Sequence, residues 1–125
     1  MTDRPPPSEF ELIARYFAPL AAGAPGALGL TDDAALVKPP ADHHHVIAVD
    51  TLVQGVHFLA DDPPDLIARK LLRVNLSDIA AMGATPKYYL LAVSLCPGID
   101  ASWLEAFADG FKADQDEFHV ALLGG

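Results

Sequence analysis

Four aspartates border the apolar segments of this chain: Asp32, Asp33, Asp50 and Asp78. An unpaired carboxylate is costly beside a buried element, so a fold that buries these segments must leave the acids at an edge or neutralise them. If the fold brings them together, the simplest neutraliser is a hard cation with oxygen ligands, which indicates magnesium and a phosphorylated ligand. The spacing alone gives equal support to the metal site and to an alternative in which these aspartates are ordinary turn and cap residues.

The apolar periodicity predicts the order helix, strand, strand, helix, strand, helix, strand. Ser8 and Glu11 have the spacing of a capping box that opens the first helix. A second helix is predicted over residues 65–82, and Asp100 is a good N-cap for a third. The buried stripe of that third helix is predicted to comprise Trp103, Phe107 and Phe111.

The four predicted strands imply an α+β (mixed α/β) domain with a four-stranded mixed sheet and helices on one face. The strands are predicted at residues 34–37, 46–53, 88–95 and 120–123. The second sheet face would expose valine, isoleucine, tyrosine and leucine, and a bare apolar face of this kind indicates a partner surface. We therefore expect a homodimer in which two sheets pair in a barrel-like arrangement.

Composition narrows the class of protein. The chain has 125 residues, which suits one domain. Its formal net charge of -9 argues against a nucleic-acid-binding face. No apolar run reaches the roughly 18 residues of a membrane span, and the N-terminus has no signal-peptide pattern, so we expect a cytoplasmic protein without membrane partners. We predict a flexible proline-rich leader over residues 1–8 and a domain over residues 9–125.

Two further groups carry potential ligand atoms. Cys96 is the single cysteine, which excludes an intrachain disulfide, and we expect it to be a buried small hydrophobe. His43, His44 and His45 are consecutive and could bind a transition metal. Because successive side chains diverge, a solvated loop is the favoured interpretation of the three histidines.

Several longer strings resemble one enzyme family. The strings EFELIARYF, DDAAL, DTLVQGVHF, VNLSDIAAMGATP, WLEAFADG and LLGG occur in this order between residues 9 and 125. They resemble the N-terminal domain of the thiamine-monophosphate kinase family, within the superfamily that includes aminoimidazole-ribonucleotide synthetase. The pair DTLV-x-GVHF and NLSD-x-AAMGA is the most specific part of the resemblance.

The resemblance implies ATP- and magnesium-dependent phosphorylation of thiamine monophosphate to thiamine diphosphate. It implies magnesium ligands at Asp33, Asp50 and Asp78, with Asp32 contributing from the outer shell. It places His57 near the substrate, and Gly124 and Gly125 at the start of a turn that handles nucleotide phosphates. No protein nucleophile is implied, and phosphoryl transfer needs none, because positioning and charge stabilisation supply most of its catalysis.

The sequence departs from the family pattern at three places. Thr31 stands where the family usually has glycine before the aspartate pair, and Ala48 and Val49 replace hydroxyl residues before Asp50. The aspartate expected after Gly125, and the family's C-terminal domain, are not part of these 125 residues. We therefore expect this polypeptide alone to be inactive. A non-catalytic dimerisation module and another ATP-using member of the superfamily remain alternatives.

Overall fold

The first helical segment begins as the sequence predicts. The structure, a computed structural model, describes residues 6–125, so most of the predicted leader lies outside the described residues. Ser8 Oγ accepts the Glu11 N–H at 3.3 Å, and the Glu11 carboxylate accepts the Ser8 N–H at 2.7 Å, which confirms the capping box. The segment consists of helix α1 (Glu9–Leu12), a π-helical turn (Ile13–Phe17) and two 3-10 turns (Ala18–Ala21 and Pro25–Leu30).

Two long helices carry most of the packing. Helix α2 spans Pro64–Ala81 and helix α3 spans Ala101–Phe118, close to the predicted bounds. Asp100 caps α3, because its Oδ1 accepts the Trp103 N–H at 2.8 Å. The helices approach closely at Gly110, where an added Cβ would lie 2.3 Å from the Asp65 carbonyl oxygen. Glycine at this position therefore sets how near the two helices pack.

The predicted aromatic stripe of α3 forms the centre of the core. Phe107 and Phe111 are buried, and Trp103 packs against them from a half-buried position. The ring centroids of Trp103 and Phe107 are 4.9 Å apart, as are those of Phe107 and Phe111. Tyr89 stacks on Phe111 at 5.6 Å, which joins the stripe to the sheet. Such ring pairs stabilise the core beyond the area they bury.

The sheet consists of two parallel strands in the described residues. Strand β1 (Tyr88–Leu90) pairs with strand β2 (Ala121–Gly124), and α3 connects them in a β–α–β unit. Helices packed on a sheet confirm the α+β class. The four-stranded sheet is not confirmed, because residues 34–37 and 46–53 form no strand and β1 ends before residue 95. A strand needs a neighbour bonded to it in a regular ladder, and the described residues provide no such ladder for these segments, although the Leu36 N–H bonds singly to the Gly26 carbonyl.

The unpaired segments leave apolar side chains in solvent. Ile47 and Val49 are 87% and 90% exposed, although their sequence is typical of a buried strand. Cys96 is also exposed, so the expectation of a buried cysteine is wrong; its thiol donates to Gln54 Oε1 at 3.7 Å. None of the helices formed by residues 6–125 combines the length and the hydrophobicity needed to cross a membrane.

Candidate functional site

The loop that carries Asp32 and Asp33 follows a run of left-handed backbone. Leu28, Gly29 and Leu30 have φ values of 54°, 66° and 57°. Thr31 has φ −104°, and its Oγ1 donates to the Leu28 carbonyl at 2.8 Å. The threonine therefore adopts ordinary backbone geometry, and this loop does not need glycine at residue 31.

The same loop returns to the body of the domain immediately after the aspartates. The Leu36 N–H donates to the Gly26 carbonyl at 2.8 Å, and an added Cβ on Gly26 would lie 1.6 Å from the Leu36 carbonyl oxygen. Ala35, the residue before Leu36, lies beside the end of β2, where a Cβ on Gly124 would be 3.9 Å from the Cβ of Ala35. The fold thus brings the aspartate loop next to the glycine pair at the end of the described chain.

Gly124 and Gly125 lie at the carboxyl end of the parallel strands. The Leu91 N–H donates to the Gly124 carbonyl at 2.9 Å. Gly125 has φ 137°, and a Cβ there would lie 2.2 Å from the Leu91 carbonyl oxygen. Close backbone packing therefore explains glycine at residue 125 without any ligand. The location itself is where open α/β sheets bind ligands, outside the carboxyl ends of their strands.

The other two predicted metal ligands are exposed and lie on different elements. Asp50 stands on the unpaired segment, where its Oδ1 accepts the Thr51 N–H at 2.9 Å. Asp78 lies in the C-terminal half of α2. Among residues 6–125, no three histidine, cysteine, aspartate or glutamate side chains are grouped so that they could hold a metal ion. Carboxylate oxygens have the chemistry that magnesium prefers, but the described residues do not assemble them, and the ligand set stays a prediction.

His57 lies in a tight turn over residues 53–58, and α2 holds this turn from the side. The His57 N–H donates to the Val53 carbonyl at 2.9 Å, and the Val53 N–H donates to the His57 ring Nδ1 at 2.9 Å. The ammonium of Lys70, on α2, donates to the His57 carbonyl. Gly55 supplies the turn with its φ of 81°, and the Gly55 N–H donates to the Phe58 carbonyl at 2.7 Å.

The three consecutive histidines lie in an exposed loop. His43 Nδ1 is 2.7 Å from the Ala41 carbonyl, so its ring bonds to its own turn. His44 and His45 are exposed as well. This placement agrees with the interpretation of the histidines as a solvated loop.

The sequence reasoning missed a buried ion cluster between α2 and α3. Asp114 is fully buried; its carboxylate accepts from Arg69 Nε at 3.1 Å and from Arg73 Nε and Nη2 at 2.9 Å and 3.0 Å. The hydrogen bond to Asp114, and then its negative charge, raise the pKa of Arg73. The sequence did contain one signal for this cluster: Asp114 follows Phe111 by three residues and therefore lies on the buried stripe of α3.

Comparison with known proteins decides the family. Residues 31–125 match the family described as AIR synthase related protein, N-terminal domain. The chain belongs to that family. It is 49% identical, over 96% of its length, to a thiamine-monophosphate kinase of Caulobacter vibrioides, and 45% identical, over 94%, to that of Escherichia coli K12. The resemblance stated from the sequence strings is confirmed.

A solved structure supports the same conclusion at the level of the AIR synthase-related fold. The crystal structure of a thiamine monophosphate kinase from Aquifex aeolicus matches with a TM-score of 0.58 and 34% identity, over 61% of this chain and 26% of that one. The chain spans about a third of the curated relatives that it matches, 34% of the Caulobacter protein and 36% of the Escherichia coli protein.

Proposed function

We propose that the chain is the N-terminal domain of an ATP- and magnesium-dependent kinase that converts thiamine monophosphate to thiamine diphosphate. The observation that carries the proposal is the 49% identity, over 96% of the chain, to a protein named thiamine-monophosphate kinase. The cytoplasmic location remains a prediction from the sequence. The domain assignment, residues 9–125, is part of the same proposal.

The placement of the aspartate loop supports this function. Ala35 lies against Gly124, so Asp32 and Asp33 stand near the carboxyl ends of the parallel strands. In the proposal, Asp33, Asp50 and Asp78 hold magnesium, Asp32 contributes through water, and the backbone at Gly124 and Gly125 receives nucleotide phosphate. Magnesium would neutralise charge on the transferring phosphoryl group. The acceptor is already an anion, so the chain needs no protein nucleophile or strong base for this reaction.

We infer further that the active protein is a homodimer. Ile47 and Val49 are almost fully exposed, and alternate residues of an extended segment share one face. A second copy of the chain would cover this face, as in the predicted homodimer in which two sheets pair in a barrel-like arrangement. Pairing would also fix the backbone that carries Asp50, one of the predicted metal ligands.

A dimerisation module without catalysis is the second candidate. Ala48 and Val49 have no ligand atoms in their side chains, and the described residues assemble no three-ligand metal group. Under this hypothesis the apolar segment is retained for pairing alone. The two hypotheses differ in the role of Asp50. The kinase needs its carboxylate for activity, whereas the dimerisation module needs it only for solubility.

The deciding experiment uses a longer chain that continues past residue 125. Purified protein is given ATP, magnesium and thiamine monophosphate, and formation of thiamine diphosphate is measured. Asp50→Asn should lower kcat about a hundredfold or more, since metal stabilisation is worth several kcal/mol. Asp116→Asn is the matched control, because Asp116 is an exposed helix acid that pairs only with Lys112 in the described structure.

Each result has a defined meaning. Product formation that depends on Asp50 and not on Asp116 supports the kinase. A longer chain that dimerises but turns over neither thiamine monophosphate nor aminoimidazole precursors supports the dimerisation module. Turnover of the aminoimidazole precursors alone would assign the protein to another branch of the superfamily.

A further inference from the structure

Two leucines before the aspartate pair adopt a backbone conformation that residues with a side chain disfavour. Leu28 and Leu30 have φ values of 54° and 57°, and Gly29 between them has φ 66°. A left-handed leucine is costly, so contacts elsewhere must hold these two residues in place. Leu30 packs against the hydrophobic core. Leu28 is 40% exposed, so burial alone does not fix its conformation.

Thr31 makes the contacts that hold Leu28. Its hydroxyl donates to the Leu28 carbonyl at 2.8 Å, and its N–H donates to the same carbonyl at 3.3 Å. Its methyl group lies over Gly29, where an added Cβ would be 4.0 Å from Thr31 Cγ2. Because threonine is branched at Cβ, one rotamer places both groups at once and little rotation remains. The side chain of Thr31 therefore closes the left-handed turn.

The closed turn is coupled to the position of the aspartates. Asp32 and Asp33 follow Thr31 directly, and the Asp33 N–H donates to Asp32 Oδ1 at 2.9 Å. Only three residues separate Thr31 from Ala35, which lies beside Gly124 at the end of β2. So short a connection leaves little slack between the turn and β2, because each extended residue spans about 3.5 Å at most. Loosening the turn therefore loosens the backbone of Asp33.

We propose that Thr31 is a positioning residue that closes the left-handed turn and thereby holds the backbone of Asp33 in one conformation at the end of β2 before any ligand binds. Glycine, which the family usually has at this position, would supply neither the hydroxyl nor the methyl group. A loop that is already in its binding conformation binds more tightly than one that is only partly in it. The effect on ligand affinity rests on the proposed function, whereas the closure of the turn does not.

Two substitutions separate the hydroxyl group from the methyl group. Thr31→Val keeps the branched shape and removes the hydroxyl, and Thr31→Ser keeps the hydroxyl and removes the methyl. Thr85→Val is the matched control. Thr85 is exposed in the loop between α2 and β1, and its hydroxyl makes no hydrogen bond within residues 6–125.

The first measurement is ¹⁵N relaxation of the 125-residue chain. Amide order parameters over residues 28–33 should be about 0.85 in wild type and in Thr31→Ser, and should fall toward about 0.6 in Thr31→Val. A nuclear Overhauser effect between the Ala35 methyl and the Gly124 α-protons reports the contact with β2, and only Thr31→Val should weaken it. Equal behaviour of Thr31→Val and Thr85→Val, or a wild-type loop that is already flexible, would overturn the proposal.

The second measurement is kinetic and uses the longer chain of the kinase assay. Thr31→Val should raise the KM for ATP about threefold and leave kcat unchanged, since binding must then order the loop; this change corresponds to one exposed hydrogen bond. Thr31→Ser should restore the KM, and Thr85→Val should alter neither constant. An unchanged KM in Thr31→Val, or a loss confined to kcat, would overturn the positioning role.

This inference and the proposed function can fail separately. A longer chain without turnover would reject the proposed function, and the relaxation and contact measurements would still decide the role of Thr31. An active kinase whose loop is flexible in the wild type would retain the proposed function and overturn this inference.

Discussion

Replacing Asp114 with alanine should destabilise the domain more than any other single loss of an acid in its described part. The carboxylate is fully buried and accepts three hydrogen bonds from two arginines. A hydrogen bond to a charged group is worth about 1.5–3 kcal/mol, so the loss of three of them sets an upper limit of about 5–9 kcal/mol. The side chains of Arg69 and Arg73 are 38% and 48% exposed and would regain water, so we expect a loss of about 2–4 kcal/mol.

Urea unfolding followed by the fluorescence of Trp103 measures this loss. Trp103 is the single tryptophan and packs on Phe107, so its emission reports the α3 core. The midpoint should fall while the m-value stays constant, because the variant unfolds the same surface. Asp114→Asn keeps the shape and one acceptor oxygen and should fall between wild type and alanine.

Asp116→Ala is the matched control on the same helix. Asp116 is exposed and pairs with Lys112 one turn away, so its removal should cost about 0.5 kcal/mol or less. If Asp114→Ala and Asp116→Ala lower stability equally, the buried cluster does not hold α2 against α3, and our account of the helix pair is wrong.

Three other predictions follow from the structure. Gly110→Ala should lower the free energy of unfolding by about 2–3 kcal/mol in the same urea assay, since the new Cβ meets the Asp65 backbone; an unchanged midpoint would contradict the close packing. Burial raises the pKa of the Tyr89 phenol, so the neutral form favours folding, and the free energy of unfolding should fall as the pH rises above about 10. Tyr89→Phe should remove the part of this pH dependence that Tyr89 contributes, and any dependence that remains reports other titrating groups. The variant also loses the hydrogen bond from the Tyr89 hydroxyl to Gln115. Val49→Asp should convert a dimer to a monomer in light scattering, and a wild-type chain that is already monomeric at micromolar concentration would refute the pairing face.

Local signals in the sequence predicted the helices well. The Ser8 capping box and the Asp100 N-cap each join atoms only three residues apart, and both are present in the structure. The stripe of Phe107 and Phe111 follows from helical period and is buried as predicted. These features depend on neighbours along the chain, which the sequence shows directly.

The missed features depend on neighbours that the sequence does not show. The partners of Asp114 lie 41 and 45 residues away, so nothing local distinguishes this buried acid from an exposed one. Residues 46–53 have the composition of a strand, but a strand forms only where another backbone meets it. The convergence of Asp33, Asp50 and Asp78 is equally non-local and stays a prediction, although the approach of the Asp33 loop to Gly124 is now established.

The left-handed backbone before the aspartate pair affects the stability of the domain without changing the chemistry of its carboxylates. Leu28 is a partly exposed leucine with φ 54°, a conformation that disfavours its side chain by about 1 kcal/mol. Glycine at residue 28 would relieve this without altering any carboxylate atom. The backbone strain of this loop can therefore be changed independently of ligand chemistry, although glycine also adds conformational freedom to the unfolded chain, so residue 28 is a position where stability can be adjusted without touching the carboxylates.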